Sequence, residues 1–116
     1  MVETPNAVAV DLGCIYSLDV MEHLPKEWDD LVVQKLSDAL TPDGSIIIGM
    51  PSLESQVYAS PASKAGHINC KSAPDMKALM QKYFHSVFMF SMNDEVVHTG
   101  YHKMAHYIIA LCAHKK

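Results

Sequence analysis

The tightest constraint on this chain is a strand–helix–strand pattern in its first half. Ala7 to Ser17 reads as an apolar strand, with Gly13 as a bulge or close-approach position. A helix follows from about Pro25 to Leu40. Trp28, Leu31, Val32, Leu36 and Leu40 recur there at spacings of three and four, while Lys26, Asp29, Asp30 and Gln34 fall elsewhere. Pro25 suits a first turn because its missing N–H has no intrahelical partner there anyway. A Pro42-Asp43-Gly44 turn leads into Ser45-Ile46-Ile47-Ile48-Gly49-Met50, a second buried strand. Strands joined by such a helix lie parallel, with a right-handed crossover. A ligand of this sheet binds beyond the carboxyl ends of its strands, where Ser17 to His23 and the segment after Met50 emerge.

The second half extends the α/β pattern. Ser72-Ala-Pro-Asp75 is a capped helix start, followed by a stripe of Met76, Leu79, Met80 and Tyr83. Pro51 to Lys71 is a long Ser-, Ala- and Pro-rich loop, of the kind that is usually functional or mobile. Val87–Phe90 and Tyr107–Cys112 are continuous apolar runs, expected as strands buried on both faces. Asn93 to His102, between them, is too polar for a core and too long for a tight hairpin. With the strand before it parallel to the first two, this segment, Asp19 and His67 converge on one crevice.

Asp19, Glu22 and His23 form a D-x-x-E-H pattern at a strand-to-helix junction. In a helical first turn Asp19 shares a face with Glu22 and His23, so carboxylate oxygens and an imidazole converge. Those donors suit magnesium or manganese better than zinc. A second reading needs no metal, because acidic residues in a first turn favour the helix dipole and bind free N–H groups. His23 or His67 can also act as a general base toward a substrate hydroxyl. Asp94, Glu95 and His98 offer a second acid–base cluster, or a solvated turn. His98, His102 and His106 recur every four residues but border a strand-like run, which does not align them. The methionines read as core filler.

Tyr16-Ser-Leu-Asp-Val-Met-Glu-His-Leu-Pro25, the helix with Trp28, and Leu40-Thr-Pro-Asp-Gly-Ser-Ile-Ile-Ile-Gly49 resemble the fourth strand, following helix and fifth strand of class I S-adenosylmethionine-dependent methyltransferases. Phe84–Met92 and Met104–Cys112 resemble that family's sixth strand and antiparallel seventh, so the likeness covers nearly the whole chain. It implies a single domain over residues 1–116, the carboxyl-terminal half of a Rossmann-like sheet with strand order 4-5-7-6 and helices mainly on one face. The family's first strand and glycine-rich cofactor loop would precede Met1, and none of the five glycines makes a G-x-G-x-x-G after a strand. Ser17, Leu18 and Asp19 are the implied cofactor contacts. Some O-methyltransferases of the class, among them small-RNA 2′-O-methyltransferases, carry E-x-x-E-H at this junction and bind a divalent ion. The small-RNA group adds a histidine after the fifth strand, which makes His67 a candidate ligand beside Asp19, Glu22 and His23. Asp19 departs from that pattern with a shorter arm.

The function implied is methyl transfer to a small hydroxylated metabolite, saccharide or lipid-linked compound, with the isolated chain inactive. The alternative is a non-catalytic oligomerisation or binding module derived from such an enzyme. Partners follow from the missing half: that half itself, or further copies of the chain on an uncovered sheet face and on the open edge of the first strand.

Composition narrows this further. At 116 residues, 49% hydrophobic and 19% charged, the chain is an ordinary small globular domain. All nine basic residues are lysines, scattered in a chain of net charge −4, so nucleic acid is not an expected partner. No apolar run reaches membrane-spanning length, and the acidic start is unlike a signal peptide, so a cytoplasmic protein is expected. The three cysteines lack C-x-x-C spacing and fit reduced thiols.

Overall fold

A computed structural model describes residues 11–116; the expected strand residues Ala7 to Val10 lie outside them. The fold is mixed α/β, one open five-stranded sheet with helices. Strands β1 (Leu12–Leu18), β2 (Leu40–Pro51), β3 (Phe84–Asn93), β4 (Val96–His98) and β5 (Tyr107–Lys115) lie in the order β1-β2-β5-β3-β4. β1 runs parallel to β2, β5 is antiparallel to both β2 and β3, and β4 returns antiparallel along β3.

Register separates the two faces of the sheet, because residues directly across the ladder point the same way. Ile15, Ile46, Cys112 and Val87 form one inward row, and Ser17, Ile48, Ala110 and Met89 the next. Helices α1 (Asp29–Ala39) and α3 (Ala73–Gln81) supply Val32, Val33, Leu36, Met76, Leu79 and Met80 to the same core cluster as these strands. The start of α3 follows its sequence: the Ser72 hydroxyl accepts from the Asp75 N–H at 3.3 Å, with Pro74 in the first turn.

The outward rows, Tyr16–Ile47–Leu111–Phe88 and Leu18–Gly49–Ile109–Phe90, have no covering helix among the described residues. Tyr16 is 75% exposed and Phe88 56%. The expectation that Val87–Phe90 and Tyr107–Cys112 are buried on both faces is therefore corrected. In β5, Ile108, Ala110 and Cys112 are fully buried and alternate with half-buried neighbours, because α1 and α3 both pack on one side.

Three further expectations change. The buried stripe of α1 is Asp29, Val32, Val33, Leu36 and Ser37, which leaves Trp28 and Leu31 exposed; a buried ion pair at Asp29 turns the helix. Pro42–Gly44 is a bulge within β2 rather than a separate turn, since Leu12 pairs with Leu40 but Cys14 with Ser45. The segment after Asn93 does form a tight hairpin: Asn93 pairs with Val96 around Asp94-Glu95, where Asp94 takes φ 51°. The Ser-rich connection from Pro51 to Lys71 contains a 3-10 turn, Glu54–Tyr58, and helix α2 (Pro61–Gly66) capped by Ser60. Ser52 and Leu53 N–H groups donate to the His106 and Lys71 carbonyls and tie it down.

Candidate functional site

β1 ends at Leu18 because Asp19 adopts φ 60° and turns the chain out of the ladder, its N–H donating to the Gly49 carbonyl at 3.1 Å. A 3-10 turn, Met21–His23, follows. Met21 enters the core at 2% exposure and carries the adjoining Glu22 inward, to 1%. Glu22, His23 and His67 come together there, with one potential ligand atom from each within 4.8 Å of the others.

Hydrogen bonds orient both rings. His23 Nδ1 lies 2.8 Å from the Gly66 carbonyl oxygen and His67 Nδ1 lies 2.9 Å from Gln56 Oε1. Against these acceptors each Nδ1 carries the proton, so each Nε2 keeps a lone pair for a ligand. Glu22 Oε2 sits 3.5 Å from His23 Nε2, while buried Glu22 Oε1 has no partner among the described residues. Burial pushes the Glu22 carboxyl above its ordinary value; a backbone hydrogen bond and then His23 offset part of this.

Asp19, expected from the D-x-x-E-H spacing to join this group, does not. Only a helical turn would bring Asp19 onto the face of Glu22 and His23, and the left-handed Asp19 itself breaks that turn. Tyr107 instead shares a cleft with Asp19; burial, then the neighbouring Asp19 carboxylate, holds the phenol well above its ordinary range. Leu18 and Asp19, two of the implied cofactor contacts, line a cleft of about 440 Å³ on the open face, whereas Ser17 pairs with Ile48 on the core face. Asp94 reaches this cleft and His67 does not, so only two of the three expected loops converge.

A second polar cluster adjoins the first. Lys71 Nζ donates to Asp29 Oδ2 at 2.6 Å and Asn69 Oδ1 at 2.8 Å, and Asn69 Nδ2 donates to Asp29 Oδ1 at 2.7 Å. All three residues are buried. His98 is held through Nε2 by Asn93 Oδ1 at 2.9 Å; with His98 in β4, His102 in a 3-10 turn and His106 before β5, the every-fourth histidines share no helix face. Gln56 and Tyr107 were missed in the sequence, since neither belongs to a local pattern. No helix among the described residues is long and apolar enough to cross a membrane. No protein-family model matches the chain, and no curated protein matches it.

Proposed function

We propose that the chain is the carboxyl-terminal part of an S-adenosylmethionine-dependent methyltransferase fold, with a divalent-metal site at Glu22, His23 and His67. The observation that carries this reading is the sheet order. An antiparallel β5 is inserted between β2 and β3, which run in the same direction, with β1 parallel beside β2. Such an order is compatible with the 4-5-7-6 arrangement that the sequence resemblance implies, with β4 as a hairpin strand at the far edge.

The metal site fits its residues. Among the described residues neither Nε2 has a hydrogen-bond partner, both Nδ1 positions are tied to oxygen acceptors, and a buried carboxylate oxygen lacks a partner. With Asp19 outside the group, two nitrogens and one carboxylate suit manganese better than magnesium. A divalent ion bound there supplies Lewis-acid polarisation of an acceptor hydroxyl. Without one, the same histidine lone pairs accept the proton that a hydroxyl releases on methylation. S-adenosylmethionine supplies an already activated methyl group, so the protein's task is alignment and water exclusion. The acceptor class remains a small hydroxylated metabolite, saccharide or lipid-linked compound.

Manganese titration followed by electron paramagnetic resonance tests the site. One bound ion per chain is expected, weakened at least about tenfold in His23→Ala; unsaturable binding, or equal binding in the variant, refutes it. Calorimetry on the isolated chain is expected to show no S-adenosylmethionine binding, with binding restored when an amino-terminal half bearing the glycine-rich loop is supplied. Failure of that restoration removes the methyltransferase reading.

The uncovered face favours a second reading, an oligomerisation module. Tyr16, Leu111 and Phe88 lie on one side of the sheet, β1 has no strand at its outer edge among the described residues, and Leu12–Leu18 contains neither charge nor proline to discourage pairing. A homodimer or higher oligomer in light scattering is expected of the chain alone; a well-folded monomer at high concentration removes this reading.

A further inference from the structure

The geometry points to a binding site for a small organic ammonium ion, one with an apolar body, in the cleft between the carboxyl ends of β1 and β3. The cleft has about 440 Å³ of space, enough for a ligand of metabolite size. Leu18 of β1, Met92 of β3 and Ile109 of β5 give it an apolar lining from three strands. Gly49 makes the arrangement possible: a Cβ there would stand 2.6 Å from Tyr107 Cε2 and 2.9 Å from its hydroxyl, so only glycine lets that ring lie across β2. The ring borders the cleft, as does Asp19.

The charge at the cleft has one sign. Asp19 and Asp94 flank it, and His106 is the only basic group among its lining residues. Among the described residues neither aspartate has a lysine or histidine within ion-pairing distance. Elsewhere in the chain Asp29 is paired with Lys71 and Asp30 with Lys82. Two carboxylates without a lysine or histidine partner among the described residues, beside an apolar, aromatic-bordered cavity, complement a cation that carries a hydrocarbon. A Tyr ring in such a wall adds cation–π attraction. A neutral ligand of the same shape gains only the apolar contacts, and an anion is repelled.

The inference does not depend on methyl transfer, and its test uses neither cofactor nor metal. Phenethylammonium is titrated into the full chain and followed by nuclear magnetic resonance, with 2-phenylethanol as the neutral match. Saturable binding is expected, with shifts at Met92 and Tyr107, at least about tenfold tighter than for the alcohol and weakened by salt. Asp19→Asn and Asp94→Asn are each expected to weaken it about tenfold. Asn tolerates the left-handed backbone at both positions, so these variants keep the fold while removing charge. Equal binding of amine and alcohol, unsaturable binding of the amine to the folded chain, or unchanged affinity in both Asn variants overturns the proposal.

Discussion

Asp29 and Glu22 are both buried carboxylates, and Asn69 joins them: its side chain donates to Asp29 at 2.7 Å and its backbone N–H to the Glu22 carbonyl at 3.0 Å. Their surroundings differ. Each Asp29 oxygen has a donor, one of them the Lys71 ammonium. Glu22 has one oxygen near His23 and one with no partner among the described residues. A closed network of the first kind fastens the start of α1 to the segment before α3. An open one raises the energy of the empty site, and a cation that completes it recovers that energy. On the proposed function, the contrast separates a structural polar cluster from one that would hold a cation.

The largest expected effect breaks the closed cluster. Lys71→Met leaves a buried carboxylate with one neutral donor and should destabilise the chain by about 3–5 kcal/mol in chemical denaturation. Its manganese affinity, measured on the fraction that remains folded, should stay near that of the parent. Glu22→Gln should do the reverse. The folded chain holds the Glu22 carboxyl above its ordinary value, so protonation favours folding. The native advantage of the protonated form is complete below the unfolded value and fades as pH rises through the raised one. At neutral pH the ionised side chain is therefore a net cost, and the neutral amide should raise the melting temperature of the metal-free protein while abolishing manganese binding. If both variants merely destabilise, the two clusters are of one kind.

Gln56→Ala should weaken manganese binding about tenfold, since it frees the His67 ring without removing a ligand. The smallest effect concerns a carboxylate in the open. Asp30 accepts from the Tyr83 hydroxyl at 2.6 Å; this bond first, then Lys82, lowers the Asp30 value, and the same bond, with burial, raises that of Tyr83 to about 12. The stabilisation from this contact is present above the ordinary carboxylate range and is lost as pH falls through the lowered Asp30 value. At the other end it is full below pH 10 and is lost as pH rises through about 12. Tyr83→Phe should therefore differ slightly from the parent at neutral pH and not at either extreme, as read from melting temperatures across pH.

What could be read in the sequence was local. The Ser72 cap, the helix–strand alternation and the adjacency of Glu22 and His23 depend on residues a few positions apart, and each has its counterpart in the structure. The partnership of His67 with Glu22 came only from the family resemblance, because 44 or 45 residues separate it from the Glu22–His23 pair. Gln56 and Gly66 gave no signal, since their roles arise when the connection folds back over the turn at Met21–His23. The helix face was misjudged by one position because a burial pattern based on hydropathy places Asp29 outside, and only Lys71 makes its burial tolerable. β4 was missed because Asp94-Glu95 contains no glycine, the usual mark of so short a turn, and Asp94 takes the left-handed conformation itself.

The distribution of cysteines gives the open sheet face its own chemical reporter. Cys14 is exposed on the edge strand, in the outward row with Ser45 and Ala113. Cys112 is fully buried, its thiol pushed up to about 12 by desolvation, and burial first, then Glu22, raises Cys70 to about 11. A thiolate is the nucleophile toward a maleimide or disulfide reagent, so near neutral pH the two shielded sulfurs react slowly. The fast phase of alkylation thus belongs to Cys14, and its rate measures, in a native mixture and without any label added, whether that side of the sheet is bare or covered.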